Sequence, residues 1–400
     1  MRISTQTFYA RSLSAMLDQQ SALSRIQNQV ATGKRVNTPA DDPIASVHIL
    51  ELERAQSESE QYQKNSDSAR GRLSLEEQSI ADVGLVVQRV RELVVQASST
   101  GSLTNSDRQS IAVELASRLE ELQDIANRKD GNGEYLFGGF STLTQPFAVT
   151  AGGTAYQGDQ GNRLLQIGPT QKVADSHSGN DVFMNIEGGN GTFSTAATST
   201  NTGTGLITVG TVTDRSAWVP DDYSITFTPT ADAYEVRDGL GALVTSGAYT
   251  DGTAIAFNGV QVTVSGTPAL NDSFAVNQSS NEDAFTTVQK VITALNGPGG
   301  SATGNAQLST LLGNSLQQLD QVTDHMLNVR SQVGARLSTL DNADSSRDAL
   351  GVDLKTSLGE LRDLDYATAL TQMNQQLVGL QAAQLSYSKI SQLSLFNYLS

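Results

Sequence analysis

The chain has 400 residues, no cysteine and a formal net charge of −16. This charge argues against partners whose recognition needs clustered Lys and Arg, namely nucleic acids and anionic membrane surfaces. The lack of cysteine excludes disulfides and cysteine-ligated metal sites. Only 6% of the residues are aromatic. Because large aromatic side chains supply much of the area buried in compact cores, this scarcity predicts an elongated architecture with thin cores.

The first twenty residues, MRISTQTFYARSLSAMLDQQ, contain no apolar segment of the kind found in a secretory signal peptide. No run of about 18 apolar residues occurs, so the sequence predicts no membrane-spanning helix. These features predict either a cytoplasmic protein or one exported by a route that uses no cleaved signal.

The N-terminal block predicts a helix that ends at a turn. Apolar residues recur at helical spacing and stop at Thr32-Gly33-Lys34-Arg35. Asp41-Asp42-Pro43 follows, and an Asp before a Pro is a strong helix start because the Asp caps the helix and the Pro fits its first turn. The apolar stripe of the first helix is formed by Met16, Leu23, Ile26 and Val30.

A second helical pattern runs from Pro43 to about Ala97, roughly 80 Å at about 1.5 Å per residue. A helix of this length must pack lengthwise on other helices. A third helix is predicted from the capping-box pair Thr104 and Asp107 to a turn at residues 129–133. The seam of the second helix is Leu73, Glu76, Ile80, Val83, Val87, Val90, Val94 and Ala97, and that of the third is Ile111, Leu115, Leu122 and Ile125.

The middle of the chain, residues 141–283, predicts a β-domain. It contains four Lys or Arg against fourteen Asp or Glu, a net charge of −10, and it is rich in Gly, Thr and Ser. Alternating apolar residues at 223–227, 233–236, 261–264 and 274–276 indicate strands. The nearly uncharged stretch 188–213 is predicted to be a loose loop.

Helical periodicity returns at residues 282–295 and again after Gly304. Positions at unbroken three- and four-residue steps from 316 to 365 form the longest seam, with polar exceptions at Thr323, Arg330, Asp344, Arg347, Gly351 and Asp365. Several exceptions cluster at 344–351, where we expect a weak point or kink. Leu370, Met373, Leu377 and Leu380 start a last seam, and Leu385, Leu395 and Leu399 continue it on a shifted register.

These elements predict a mainly α protein with an inserted β-domain, an α+β fold. Its N- and C-terminal regions form a long antiparallel helical bundle or coiled coil. We divide the chain into terminal polymerisation helices (1–42 and 366–400), a helical rod (43–140 and 284–365) and a β-rich outer domain (141–283). The terminal stripes are narrow and have little else to cover them, so we expect them to order when identical copies pack side by side.

No catalytic, cofactor or metal site is predicted. The three histidines, His48, His177 and His325, have no partner at metal-ligand spacing. Asp41 and Asp42 are better explained by helix capping than by catalysis. Phosphate-loop, dinucleotide-loop and nucleophile-elbow motifs are missing from the sequence.

Three segments resemble flagellins. LSRIQNQVATGKRVNTPADDPIAS, residues 23–46, resembles their N-terminal signature, and QRVRELVVQ, residues 88–96, resembles their central helix. VRSQVGARLSTLD, residues 329–341, resembles their C-terminal signature. Within this superfamily NGEYLFGGF (132–140), the β-domain exit at 257–285 and the ending SLFNYL (394–399) resemble the hook-associated protein 3 family, the hook–filament junction proteins.

The resemblance covers about residues 1–145 and 255–400. It implies a structural, non-enzymatic protein that is exported without a cleaved signal peptide and lies outside the cell, at the hook–filament junction. The partners it implies are a ring of identical copies, a neighbouring hook-associated junction protein, flagellin and a cytoplasmic export chaperone, but neither nucleic acid nor a membrane.

Two groups of candidate site residues follow. The terminal stripes and the resemblance predict a subunit interface at Leu13, Leu17, Leu23, Ile26, Val30, Arg89, Leu93, Glu114, Leu377, Leu380, Leu385, Leu395, Phe396 and Leu399. The resemblance implies that the export chaperone binds Leu370, Met373, Leu377 and Leu380.

Three alternatives remain open at this point: a filament flagellin, a surface binding module whose β-domain is carried on a helical stalk, and an enzyme carried by the insert. Trp218 and Tyr223 are the aromatic residues that such a binding module offers as a small platform.

Overall fold

The computed structural model describes residues 5–99, 103–297 and 301–392. Long helices at both ends of the chain flank a β-rich middle, as the sequence predicts. The helices are α1 (Thr5–Thr32), α2 (Pro43–Ala97), α3 (Asn105–Ala126), α4 (Ala284–Asn296), α5 (Ala302–Arg362) and α6 (Tyr366–Gln392). None of these helices, within the described ranges, is both long and apolar enough to cross a membrane.

The strands lie between α3 and α4, and a π-helical turn at Asn180–Met184 precedes the fifth of them. They are β1 (Phe147–Thr150), β2 (Gly153–Tyr156), β3 (Leu164–Gln166), β4 (Lys172–Ala174), β5 (Ile186–Glu187), β6 (Phe193–Ala197), β7 (Leu206–Ile207), β8 (Thr211–Val212), β9 (Tyr223–Thr226), β10 (Ala233–Arg237), β11 (Leu243–Ala248), β12 (Ala254–Phe257), β13 (Val260–Ser265), β14 (Ser273–Gln278) and β15 (Asn281–Glu282).

The chain divides into two compact units. One consists of residues up to Lys64 and from Asn342 onward, and the other is Asn65–Asp341. Helices α2 and α5 contribute residues to both units.

In the first unit, the start of α2 packs against the end of α5. Val36, Ala45, Ile49 and Leu358 form a small buried cluster there. Helix α5 continues without interruption through residues 344–351, where Arg347 is buried and bonds Asp344 and Gln63.

In the second unit, α2 and α5 run antiparallel. Three ion pairs fix their register: Arg91 with Asp320, Glu77 with Arg330, and Arg70 with Asp341. The residue numbers fall along α2 while they rise along α5, as in an antiparallel pair. The predicted seams of α2 and α3 are confirmed, because every residue of both is buried. The capping box between Thr104 and Asp107 is also present.

Between Leu319 and Leu340, the predicted seam of α5 is correct at every second position only. Leu319, Met326, Val333 and Leu340 are buried, but Thr323 and Arg330 are exposed. The intervening buried positions are Val322 and Val329, one residue earlier than predicted. The polar exceptions Thr323 and Arg330 therefore mark an error of one residue in its register, whereas Arg347 is buried as the predicted seam requires.

The strands form two packed sheets, the small hairpins β1–β2 and β3–β4, and a short pair of distant strands, β5 and β15. Five strands are ordered β11-β10-β9-β14-β6, and β12-β13-β7 form a second sheet in which β8 also pairs with β13. Their shared core includes Phe193, Tyr223, Phe227, Phe257 and Phe274. The strands predicted at 223–227, 233–236, 261–264 and 274–276 are confirmed as β9, β10, β13 and β14.

The prediction of a loose loop at 188–213 is wrong, since β6, β7 and β8 lie there. Strand β6 pairs along its whole length with β14, and Phe193 and Thr195 are buried. Small Gly, Thr and Ser residues conceal this strand in the sequence because only one large apolar side chain marks it.

A network of buried charges fastens the irregular segments at the base of the β-domain to α2. The guanidinium of Arg72 lies 2.6 Å from Asp130, 3.2 Å from Glu134 and 3.5 Å from Asp175. Arg163 donates from Nε to Asp175 over 2.7 Å. Since Arg72, Asp130 and Asp175 are nearly inaccessible to water, each charge depends on its partners.

We expect Arg72→Ala to lower the free energy of unfolding by about 3–5 kcal/mol, because it leaves Asp175 and Asp130 buried with too little positive charge. Urea denaturation followed by circular dichroism measures this. Arg91→Ala removes an exposed pair with Asp320 and is the control, with an expected loss below about 1 kcal/mol. Equal losses in the two variants would contradict the buried network as a stabilising feature.

Candidate subunit-assembly surfaces

Two turns pair side by side, one where α1 ends and one before α6 begins. The N–H of Arg35 donates to the carbonyl of Arg362 (2.7 Å), and that of Leu364 donates to the carbonyl of Gly33 (3.0 Å). Gly33 has φ of 71°, and a Cβ there would lie 2.9 Å from the hydroxyl of Tyr366. A glycine therefore suits both the backbone conformation and the close approach of α6.

Each turn leads into a helix that is capped by an aspartate. Asp42 Oδ1 accepts from the N–H of Ala45 at the start of α2 (3.0 Å). Asp365 accepts from the N–H of Ala367 and from the Thr368 hydroxyl at the start of α6. Hydrogen bonding from the Thr368 side chain lowers the pKa of Asp365. The expectation that Asp42 caps α2 is confirmed.

Asp41 closes the turn between Asn37 and α2. Its Oδ2 accepts from the N–H of Asn37 (3.2 Å) and from the N–H and hydroxyl of Thr38 (2.9 and 3.0 Å). The backbone hydrogen bond from Thr38 is the main cause that lowers the pKa of Asp41 below its ordinary value of 3.8. The Asp41–Asp42 pair thus organises the chain between α1 and α2.

From these turns α1 and α6 run antiparallel. Gly379 of α6 lies beneath Gln19 of α1, and a side chain at that glycine would collide with the Gln19 amide. Leu23 and Ile26 of α1 are buried, and Val30 is half-buried. These three predicted interface residues are therefore covered at least partly within the chain itself.

Further from the turns, large apolar side chains are exposed on both helices. Leu13 and Leu17 of α1 are 50% and 56% exposed, and Val378 and Leu385 of α6 are 66% and 65% exposed. Leu370 is exposed, whereas Met373, Leu377 and Leu380 are half-buried. Leu395, Phe396 and Leu399 lie outside the described residues.

The predicted face on α2 and α3 contains two of its three residues. Nη2 of Arg89 lies 2.7 Å from Glu114, and Nη1 lies 3.0 Å from Glu92. The hydrogen bond to Glu114 raises the pKa of Arg89. Leu93 is 1% exposed, so in this structure it belongs to the core and only Arg89 and Glu114 are available on the surface.

Periodicity did not reveal the polar contacts of the histidines. Nδ1 of His177 lies 2.6 Å from buried Glu76, and its Nε2 faces Gln332 at 3.2 Å. His325 donates from Nε2 to the carbonyl of Asp181 (2.7 Å). The only sequence signal was Glu76, a carboxylate in an otherwise apolar seam.

Comparison with known proteins gives these surfaces a family context. Residues 3–142 match the bacterial flagellin N-terminal helical region, and residues 316–399 match the bacterial flagellin C-terminal helical region. Residues 196–278 match the D2-like domain of flagellar hook-associated protein 1.

Solved structures match over almost their whole length. FlgL of Xanthomonas campestris is 37% identical, with a TM-score of 0.72, over 77% of this chain and 99% of its own. Flagellar hook-associated protein-3 of Legionella pneumophila is 35% identical, with a TM-score of 0.75, over 78% of this chain and 98% of its own. The chain belongs to the flagellar hook-associated protein 3 family.

Curated sequences separate the hook-associated protein 3 family from flagellin. Flagellar hook-associated protein 3 of Salmonella typhimurium is 24% identical over 397 residues, 99% of both chains. Flagellin of Bacillus subtilis is 31% identical over 178 residues, 44% of this chain and 55% of its own. The likeness to flagellin is therefore partial, whereas the likeness to hook-associated protein 3 extends over the whole chain.

Because the pKa of Asp41 is lowered in the folded chain, its contribution to stability is present above about pH 3.8 and is lost as pH falls through the lowered value. We expect Asp41→Asn to unfold at lower urea than the parent at pH 7, and the difference to shrink at pH 3. Asp18→Asn, on the exposed side of α1, is the control and should match the parent at both pH values. A gap of constant size for Asp41→Asn would show that the ionised carboxylate is not responsible.

Proposed function

We propose that this chain is the hook–filament junction subunit of a bacterial flagellum, a structural protein that connects the hook to the flagellin filament. The observation that carries the proposal is the match over 98% of the Legionella hook-associated protein-3 chain. A second Legionella structure, 34% identical with a TM-score of 0.71, is described as the flagellar junction protein FlgL.

The exposed apolar residues of α1 and α6 support assembly with further copies. Leu13, Leu17, Val378 and Leu385 are about half or more exposed in the single chain. Burying such side chains is favourable by roughly 25 cal/mol per Å² of apolar area. We therefore propose that a ring of copies, the neighbouring hook-associated protein and flagellin cover these positions.

Some of the predicted interface residues are buried in the single chain, so their role must differ from direct contact with another copy. Leu23 and Ile26 hold α1 within its own unit, and Leu93 holds α2 in its core. We propose that these residues support the interface by keeping the helices in position. Arg89 and Glu114, whose side chains are partly exposed, remain the proposed contacts on that face.

We further propose that the protein is non-enzymatic, functions outside the cell and is exported without a cleaved signal peptide. Among the described residues, no group of three or more His, Asp or Glu side chains is arranged to hold a metal ion. The aspartates at the two turns cap helices or close a loop, and the buried charges are paired, so each has a structural explanation.

The export chaperone is proposed to bind α6 at Leu370, Met373, Leu377 and Leu380 before assembly. These residues lie on a helix that is packed against α1 and still leaves Leu370 exposed. A chaperone that covers this segment would keep the apolar residues of α6 from associating in the cytoplasm.

Deletion of the gene, with electron microscopy of the cells and an assay of flagellin in the medium, tests the proposed function. We expect hooks without filaments, with flagellin monomer lost to the medium. Hooks without filaments and without secreted flagellin would instead identify this chain as the filament subunit. Normal filaments and normal motility would overturn the proposal.

The double variant Leu13→Glu/Leu17→Glu tests the exposed part of α1. Because both side chains are exposed in the single chain, we expect the thermal unfolding temperature to change by less than about 3 °C. Charged groups cannot be buried without a partner, so complementation of the deletion strain should fail in a motility assay. Leu240→Glu, 96% exposed in the β10–β11 turn, is the control and should restore motility. Equal motility of both variants would exclude this part of α1 from the interface.

Leu370→Glu separates export from assembly. If α6 is the chaperone segment, this variant should remain in the cytoplasm and lose binding to the purified chaperone by at least about tenfold. Leu13→Glu/Leu17→Glu should be exported at the parental level. Normal export of Leu370→Glu with normal chaperone binding would remove Leu370 from the proposed site.

A further inference from the structure

One face of α5 donates a series of hydrogen bonds to main-chain carbonyls of a single segment, residues 176–202, which we call the strap. The helix side chains differ in type, but every acceptor is a backbone oxygen. From donor to carbonyl, the pairs are Thr303 to Thr202, Gln307 to Ser199, Asn314 to Thr195, Gln318 to Glu187, His325 to Asp181 and Arg336 to Ser176.

The order of these pairs shows that the strap runs antiparallel to the helix. Donor numbers rise from 303 to 336 while acceptor numbers fall from 202 to 176. The donors are separated by 4, 7, 4, 7 and 11 residues, which at about 100° per residue confines all six to an arc of roughly 60°. They form one continuous polar face beside the apolar seam of Leu319, Val322 and Met326.

The donor atoms are matched to an acceptor that every residue type provides. A backbone carbonyl is present whatever the side chain, and an unpaired buried carbonyl is costly. The strap's apolar side chains, such as Phe183, Ile186 and Phe193, are buried and supply its area of contact. The polar face of α5 therefore fixes where the strap lies along the helix. The apolar burial comes from the strap's own side chains.

We propose that the polar face of α5 is a docking surface for the strap of the same chain. It sets the register of the strap through its carbonyls, so that the residues supplying those carbonyls are free to vary. Two strap side chains add further bonds: the Thr195 hydroxyl donates to Asn314 Oδ1 (3.0 Å), and His177 faces Gln332. The other five acceptor residues of the series are recognised through their main-chain carbonyl oxygens.

The position of Thr310 provides an internal comparison. It lies seven residues after Thr303, at the edge of the same face, and it is buried. Its hydroxyl has no hydrogen-bond partner among the described residues. A cleft of about 460 Å³ opens at this point, lined by Thr195, Ser199, Asn314 and Thr310 among others. Thr310, between Gln307 and Asn314, thus carries a hydroxyl that bonds no strap carbonyl among the described residues.

Amide hydrogen exchange of the full-length protein, followed by mass spectrometry, tests the proposal. The double variant Asn314→Leu/Gln318→Met removes two donors from the middle of the face. Each lost hydrogen bond makes local opening of the strap less costly. We therefore expect amide exchange in residues 187–199 to accelerate on the order of 10- to 100-fold. The amides of β9 and β10 should keep their parental rates.

Two control variants separate main-chain from side-chain recognition. Glu187→Ala/Ser199→Ala/Thr202→Ala alters exposed strap side chains but keeps their carbonyls, so exchange in the strap should change by less than about 3-fold. Thr310→Val removes a hydroxyl from the same face that bonds no strap carbonyl and should also leave exchange unchanged.

The proposal is overturned if the double variant leaves strap exchange at the parental rate. It is equally overturned if the strap triple variant accelerates exchange as much as the helix variant. Should the double variant also accelerate exchange in β9 and β10, the single variant Gln307→Met decides. Local acceleration around Ser199 would then support the docking surface, and parental rates there would contradict it.

Discussion

Helix α5 packs against two neighbours at once, and the fold of the unit Asn65–Asp341 depends on both contacts. Its apolar seam of Leu319, Val322 and Met326 is covered in the folded chain. About 90° around the helix, a polar face supplies donors to the strap carbonyls. Because both faces belong to one rigid helix, the packing on one side and the position of the strap on the other are fixed together.

The buried charges fix the positions of irregular segments in the same unit. Arg72 joins the turn containing Asp130 and Glu134 to the segment around Asp175. Apolar packing alone tolerates sliding, since the hydrophobic effect has no direction. A guanidinium shared by three carboxylates is directional and specifies one arrangement of these irregular segments.

Periodicity predicted the helices, their approximate ends and the main strands, because long seams repeat a simple pattern many times. Periodicity failed where two alternative apolar seams fitted the sequence almost equally well. In α5 the three- and four-residue steps were taken in the wrong order, so exposed Thr323 and Arg330 replaced buried Val322 and Val329. Asn or Gln at helical spacing gives no apolar signal, and hence the face that includes Asn314 was invisible.

Contacts between distant segments could not be predicted from local patterns at all. Arg72 and Asp175 are separated by about a hundred residues, as are Glu76 and His177. The strand β6 was missed for a related reason, because its pairing with β14 supplies the order that its own small residues do not indicate. Among the candidate interface residues, Leu23 and Leu17 were predicted to have the same role, yet Leu23 is covered within the chain and Leu17 is not.

That difference along the terminal helices fits the proposed assembly, in which the chain stays single until several copies meet. Close to the paired turns, α1 and α6 cover each other, so the helices are held in place by Leu23 and Ile26. Towards their other ends, Leu17 and Leu385 remain about half or more exposed. One such side chain gains only on the order of 1 kcal/mol from further burial, too little to join two free chains against the entropy of association. When several copies meet at once, each new contact forms at high effective concentration and the small gains accumulate. Weak apolar contacts on helices that are already positioned therefore fit the proposed ring, because they are too weak to join two free chains and become sufficient only when many copies meet.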